Sequence, residues 1–146
     1  VGAGIQGWLR RWDGNGKVRV RSPKEALGAL PPMGAVFVSA EDWSGSVSDM
    51  EDVAAASPIL VVTLSAAGAR MRLGDSWHDI PPTKVTSVDP TGAGDVFAAS
   101  FLARLYETRD PLESAAFAAC AAALSVEGIG VSAIPTRDEI EIKRSE

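Results

Sequence analysis

Residues 88–105 read VDPTGAGDVFAASFLARL, and this stretch constrains the chain most tightly. Gly92, Ala93 and Gly94 carry almost no side chain. They stand between a strand-like segment, KVTSV (84–88), and an apolar helical pattern from Asp95 to Glu107. A helix start leaves backbone N–H groups without acceptors, and the helix dipole adds partial positive charge there. With glycine and alanine at that point, an anion can approach the amides closely. Asp95 places an ionised carboxylate beside the same anion site. That pairing is costly unless the carboxylate has work to do, and the useful work is accepting a proton from a hydroxyl that attacks phosphorus. Spacing alone leaves a plainer alternative open, an N-cap aspartate after a tight turn. No Gly-Lys-Ser/Thr phosphate loop is present.

The rest of the chain reads as alternating strands and helices. DGNG (13–16) is a turn signal inside a candidate hairpin over 10–21. Residues 23–30 suggest a short helix stopped by Pro31 and Pro32, and AVFVS (35–39) a buried strand. A Ser48-x-x-Glu51 capping box predicts a helix over 48–56. ILVVTL (59–64) is β-branched and apolar on both faces, as central parallel strands are. ARMRL and SWHDI, joined by Gly74-Asp75, form a second candidate hairpin, and KVTSV a last strand. After the Asp95–Glu107 helix, Asp110, Pro111 and Glu113 mark the start of another, which runs through an alanine block to about Glu127 and stops at Gly128. TRDEIEI (136–142) supplies a terminal helix. The order implies an α/β fold, a mostly parallel sheet flanked by helices, with ligands at the carboxyl ends of strands.

VDPTGAGDVFAASFLARL resembles, nearly residue for residue, the second signature of the ribokinase-like carbohydrate kinases, the phosphofructokinase-B group. ILVVTLSAAGARM (59–71) is similar to that family's strand and Thr-x-Gly-x-x-Gly turn. ESAAFAACAAALSVEGIGVSAIP (113–135) is similar to its closing helix and glycine loop. The resemblance implies Asp95 as catalytic base and Gly92, Ala93 and Gly94 as anion hole. It implies Asp89 and Thr91 beside a monovalent cation, usually K+. It also implies a nucleotide site drawn from Thr63, Ser65, Gly68, Ala119, Gly128 and Gly130, with ATP and Mg2+ as cofactors.

Three positions depart from the family pattern. Ser65 stands where the turn has glycine, and Ala119 where the adenine-facing helix often has Asn or His. The Asn-x-x-Glu tied to magnesium reads Ser39-x-x-Asp42, so Asp42 is a shorter candidate for that metal. QGWLR (6–10) is similar to a segment near the nucleotide side in some members, and Arg10 receives no role from it. The family's amino-terminal, sugar-binding half has no counterpart in these residues. Residues 1–146 therefore read as the C-terminal, ATP-binding and base-bearing part of a single ribokinase-like domain, with self-association or a missing N-terminal segment expected. The implied activity is transfer of the γ-phosphoryl of ATP to a hydroxyl of a sugar, nucleoside or related polyol. The alternative is a non-catalytic nucleotide-binding module, or an inactive fragment of such a kinase.

Composition excludes other classes. The net charge is −5, against the basic stripe of a nucleic-acid surface. Basic residues early in the chain (Arg10, Arg11, Lys17, Arg19, Arg21, Lys24) read as solvated. The single Cys120 lies in an apolar run, which fits an inert thiol in a reducing cytoplasm. AAFAACAAALSV (115–126) falls short of the roughly 20 residues a membrane-spanning helix needs. His78 has no second ligand at zinc spacing, and neither Ser65 nor Ser100 has a histidine partner for a hydrolase triad. The four tryptophans show no period and suit packing.

Overall fold

Two five-residue runs, AVFVS and ILVVT, carry four buried residues in succession before the pattern opens at Ser39 and Thr63. A strand buried on both faces must have layers on each side, which is the environment of a parallel sheet. In the structure, a computed structural model describing residues 1–5, 7, 9–21, 33–43, 47–55 and 57–146, both runs are central strands. The sheet has the order β1 (Gly2–Gly4), β4 (Ala35–Ser39), β5 (Ile59–Thr63), β6 (Ala69–Leu73), β7 (Ser76–Ile80). β1 pairs with β4 and β4 with β5 in parallel, with Val38 opposite Val62 and Ser39 opposite Thr63. β6 and β7 are joined by two residues, Gly74 and Asp75, a connection only an antiparallel pair can make. The sheet is therefore mixed: parallel across β1, β4 and β5, as expected, and antiparallel at the second hairpin the sequence suggested.

β2 (Arg10–Trp12) and β3 (Val18–Val20) form the expected antiparallel hairpin as a separate two-stranded ribbon. Its turn is closed by the Asp13 carboxylate, which accepts from the N–H groups of Asn15 and Lys17, both at 3.0 Å.

The chain divides into two compact units. The first comprises residues 1–65 and 70–78; the second comprises 66–69 and 79–146. In the first, Ile5, Leu9, Val36, Val38, Leu60 and Val62 pack with Val53 and Ala54 of helix α1 (Val47–Ala55). Trp43 lies against this core, a packing role. α1 begins at Val47, so Ser48 is inside the helix rather than at its cap as the sequence suggested. The helix expected at 23–30 and Trp8 of the QGWLR segment lie outside the described residues.

In the second unit, α2 (Ala93–Thr108) packs on α3 (Pro111–Ser125), and α3 on α4 (Arg137–Arg144). Phe117, Cys120, Ala121 and Ile140 form its core with Val96 and Leu124. Asp110 caps α3 as expected, accepting from Leu112 N–H at 3.0 Å and Glu113 N–H at 3.1 Å, with Pro111 at the first helical position. Glu113 does not complete a capping box. Its carboxylate turns to Arg104 and to Arg144, and both guanidiniums also lie over the Phe117 ring, at 4.9 and 5.7 Å. A true capping box sits at α4, where Thr136 and Glu139 bond reciprocally.

KVTSV is not a strand. Its backbone is drawn to the end of α3 instead: Thr86 N–H donates to the Glu127 carboxylate at 3.4 Å, and Val88 N–H to the Val126 carbonyl at 2.7 Å. The segment is a strut that delivers Asp89 to the helix mouth.

Candidate active site

Gly92 decides how α2 begins. It sits at φ 83°, ψ −1°, a left-handed conformation glycine adopts at little cost, and it is the N-cap residue. The helix therefore starts at Ala93, two residues earlier than the sequence suggested, and Asp95 is its third residue. Asp95 does not cap the helix; the plainer alternative fails on geometry. Its side chain is exposed, pointing away from the core that Phe97 and Phe101 enter.

The amides around it divide. Ala93 N–H donates to the Pro90 carbonyl at 3.2 Å, so one of the three expected anion-hole amides already has an acceptor. Gly92, Gly94 and Asp95 N–H have no carbonyl acceptor among the described residues. Gly92 and Gly94 are exposed, and a Cβ added at either would touch nothing within 4 Å. The mouth of α2 thus offers main-chain donors and a carboxylate on one open face.

Asp89 organises the approach to this mouth. Its carboxylate accepts from Thr91 N–H at 3.0 Å. Hydrogen bonds from Thr91, side chain then backbone, and a smaller one from the Gly130 N–H hold its carboxyl below the ordinary aspartate range. Asp89, Thr91 and Gly130 are therefore brought together. Gly130, at φ 65°, opens the 3-10 turn Gly130–Ala133. Gly128 permits a close approach: a Cβ there would stand 3.0 Å from that of Ala133. Gly128 also lines an open groove of about 430 Å³ with Leu124, Ala133, Ile134 and Ile142. Ala119 does not line that groove; it is buried in α3.

In the first unit, Thr63 ends β5, and its hydroxyl donates to the Val38 carbonyl at 3.4 Å. Ser65 follows at φ 53°, so this serine holds the left-handed conformation of the glycine it stands for. Asp42 lies just past β4, in a turn whose N–H donates to the Ser39 carbonyl at 3.1 Å, and its carboxylate pairs with Arg10 at 2.5 Å. Sequence reasoning missed that pair, because nothing in the spacing of positions 10 and 42 announces it. It also missed the Thr136 cap, whose Thr-x-x-Glu spacing was a readable signal. The second unit holds Gly68, at φ 91°.

Among the described residues no group of three or more His, Cys, Asp or Glu is placed to hold a metal ion. Mg2+ commonly takes one or two protein carboxylates and completes its shell with substrate phosphates and water. Asp42, a single carboxylate just past β4, fits an ion that arrives with a nucleotide. Cys120 is buried, and burial pushes its thiol up, away from the thiolate form. No helix among the described residues is long and apolar enough to cross a membrane.

Fold and site together define an α/β protein with the ribokinase fold. A putative ribokinase II from E. coli, in complex with ATP and Mg2+, superposes with a TM-score of 0.71 at 21% identity, covering 77% of this chain and 39% of that one. The pattern of the pfkB family carbohydrate kinases matches residues 36–137, and the chain belongs to that family. It is 41% identical to a ribokinase from Bacillus subtilis over 83 residues, 56% of this chain and 28% of the relative. It is 33% identical to a 2-dehydro-3-deoxygalactonokinase from Haloferax volcanii over 149 residues, 92% of this chain and 46% of the relative. The chain thus spans between about a quarter and a half of the length of these curated relatives.

Proposed function

We propose that these residues form the ATP-binding and base-bearing part of a kinase that moves the γ-phosphoryl of ATP to a hydroxyl of a sugar, nucleoside or related polyol. The observation that carries the reading is Asp95, exposed at the third position of α2 beside N–H groups of Gly92, Gly94 and its own backbone.

The amides at the mouth of α2 face the transferring group and offset its developing negative charge. Asp95 orients the acceptor hydroxyl and takes its proton as the new O–P bond forms and the bond to the ADP oxygen breaks. Asp89, ionised and tied to Thr91 and Gly130, keeps the loop in place and is the candidate carboxylate beside a monovalent cation, K+. Thr63, Ser65 and Gly68 shape the turn assigned to the nucleotide phosphates. Gly128 and Gly130 belong to the wall assigned to adenine; Ala119, buried in α3, is assigned to it by the resemblance alone. Mg2+, when bound with ATP, supplies charge neutralisation to the phosphates, and Asp42 would hold a water of its shell. The substrate-binding part of the single domain lies outside these residues in this reading. A reducing, cytoplasmic setting suits the one buried thiol.

A nucleotide-binding module without turnover remains the second reading, favoured by Ser65 and Ala119 at positions where the family pattern differs. Calorimetry with Mg-ATP, joined to ATP-consumption assays over sugars and nucleosides, tests both. Binding with acceptor-dependent consumption supports the kinase. Binding without consumption supports the module, and no binding overturns both.

A further inference from the structure

β1, β4 and β5 run parallel, so their carboxyl ends share one edge of the sheet. Ligands of open α/β sheets bind at such an edge. Arg10 and Asp42 meet there: Asp42 lies three residues beyond Ser39, and Arg10 six residues beyond Gly4. Ala40 N–H, donating to the Thr63 carbonyl at 2.9 Å, fixes the turn that carries Asp42. The guanidinium nitrogen stands 2.5 Å from the carboxylate, and the side chains are 46% and 21% exposed.

A pair this open contributes little, because water competes for both charges. Exchanging its partners is therefore cheap. A nucleotide carrying a dication presents both replacements at once, cation-bound water for Asp42 and phosphate oxygens for Arg10. A planar guanidinium is suited to phosphate oxygens, which it can meet with two parallel N–H groups.

We propose that Arg10 is a nucleotide-phosphate ligand held in reserve on Asp42. The inference rests on the kinase reading above. Before nucleotide arrives the pair neutralises itself; afterwards each member serves the ligand charge it complements. Arg10 would be a contact residue of the phosphate, and Asp42 its release.

The two substitutions then act with opposite sign on binding of ATP without Mg2+, which separates this role from a structural salt bridge. By calorimetry on the full-length protein in EDTA, Arg10→Met weakens ATP binding about tenfold. Asp42→Asn, by freeing the guanidinium, tightens it by up to about fivefold. In the Arg10→Met background the gain from Asp42→Asn disappears. Adenosine affinity, which involves no phosphate, stays unchanged in every variant and reports intact folding. The proposal is overturned if both single substitutions weaken ATP, as a structural pair would, if Arg10→Met leaves ATP affinity unchanged, or if Asp42→Asn gains equally in both backgrounds. Absence of ATP binding in the unsubstituted protein would instead remove the kinase reading, and this proposal with it.

Discussion

Gly68 passes so close to Ile80 that a Cβ at position 68 would stand 2.3 Å from the Ile80 carbonyl oxygen. The same atom would lie 2.9 Å from the Pro82 nitrogen, and φ at Gly68 is 91°. Both obstacles are backbone, so neither can swing aside. Gly68→Ala is expected to destabilise the fold by more than about 2 kcal/mol, adding overpacking to left-handed strain. Urea unfolding checks it: a midpoint equal to that of the unsubstituted protein would contradict the close approach.

Ser65 gives the converse prediction. A side-chain-bearing residue in the left-handed region costs about 1–2 kcal/mol, partly offset because glycine loses more backbone freedom on folding. Ser65→Gly is expected to stabilise by about 0.5–1 kcal/mol, read as a rise in melting temperature. A fall would mean that the serine hydroxyl holds the turn through bonds that compensate its φ of 53°.

Glu113 links the helices of the second unit by charge. Its carboxylate accepts from Arg104 at 2.6 Å and from Arg144, while Arg104 reaches Glu141 at 3.0 Å and Arg137 pairs with Glu107. Arg144 first, and Arg104 after it, hold the Glu113 carboxyl below the ordinary glutamate range. The stabilisation is therefore full above that range, where both folded and unfolded chains are ionised. It is lost as pH falls from about 4.3 toward the folded value, because the unfolded chain takes up the proton first. Glu113→Gln should destabilise by about 1–2 kcal/mol at pH 7, between an exposed pair and a buried one, and should flatten the acid limb of the stability profile. An acid limb of unchanged steepness would assign it to other carboxylates.

Much of this was legible in the sequence because local signals and tertiary environment agree. Four consecutive apolar residues in AVFVS and ILVVT announce strands buried on both faces, and Asp110-Pro111 announces a helix start. KVTSV misled because strand propensity says nothing about where N–H groups find acceptors; here the end of α3 supplies them. Glu113 misled for a similar reason. Its spacing from Asp110 fits a capping box, but two arginines distant in sequence or on another helix compete more strongly for its charge. The start of α2 was misplaced by two residues because glycine's left-handed freedom at position 92 is invisible in apolar periodicity. The Arg10–Asp42 pair depends wholly on how the strands are brought together.

Asp95→Asn in the full-length protein, assayed with its true acceptor, is the most direct measurement. The substitution keeps shape and removes the proton acceptor, and an exposed position tolerates it with little change in stability. Turnover is expected to fall by about 10²–10⁴ while the Kd for Mg-ATP stays within a few-fold of the unsubstituted value. Undiminished turnover would contradict the account, because the carboxylate at the mouth of α2 would then have no part in the transfer.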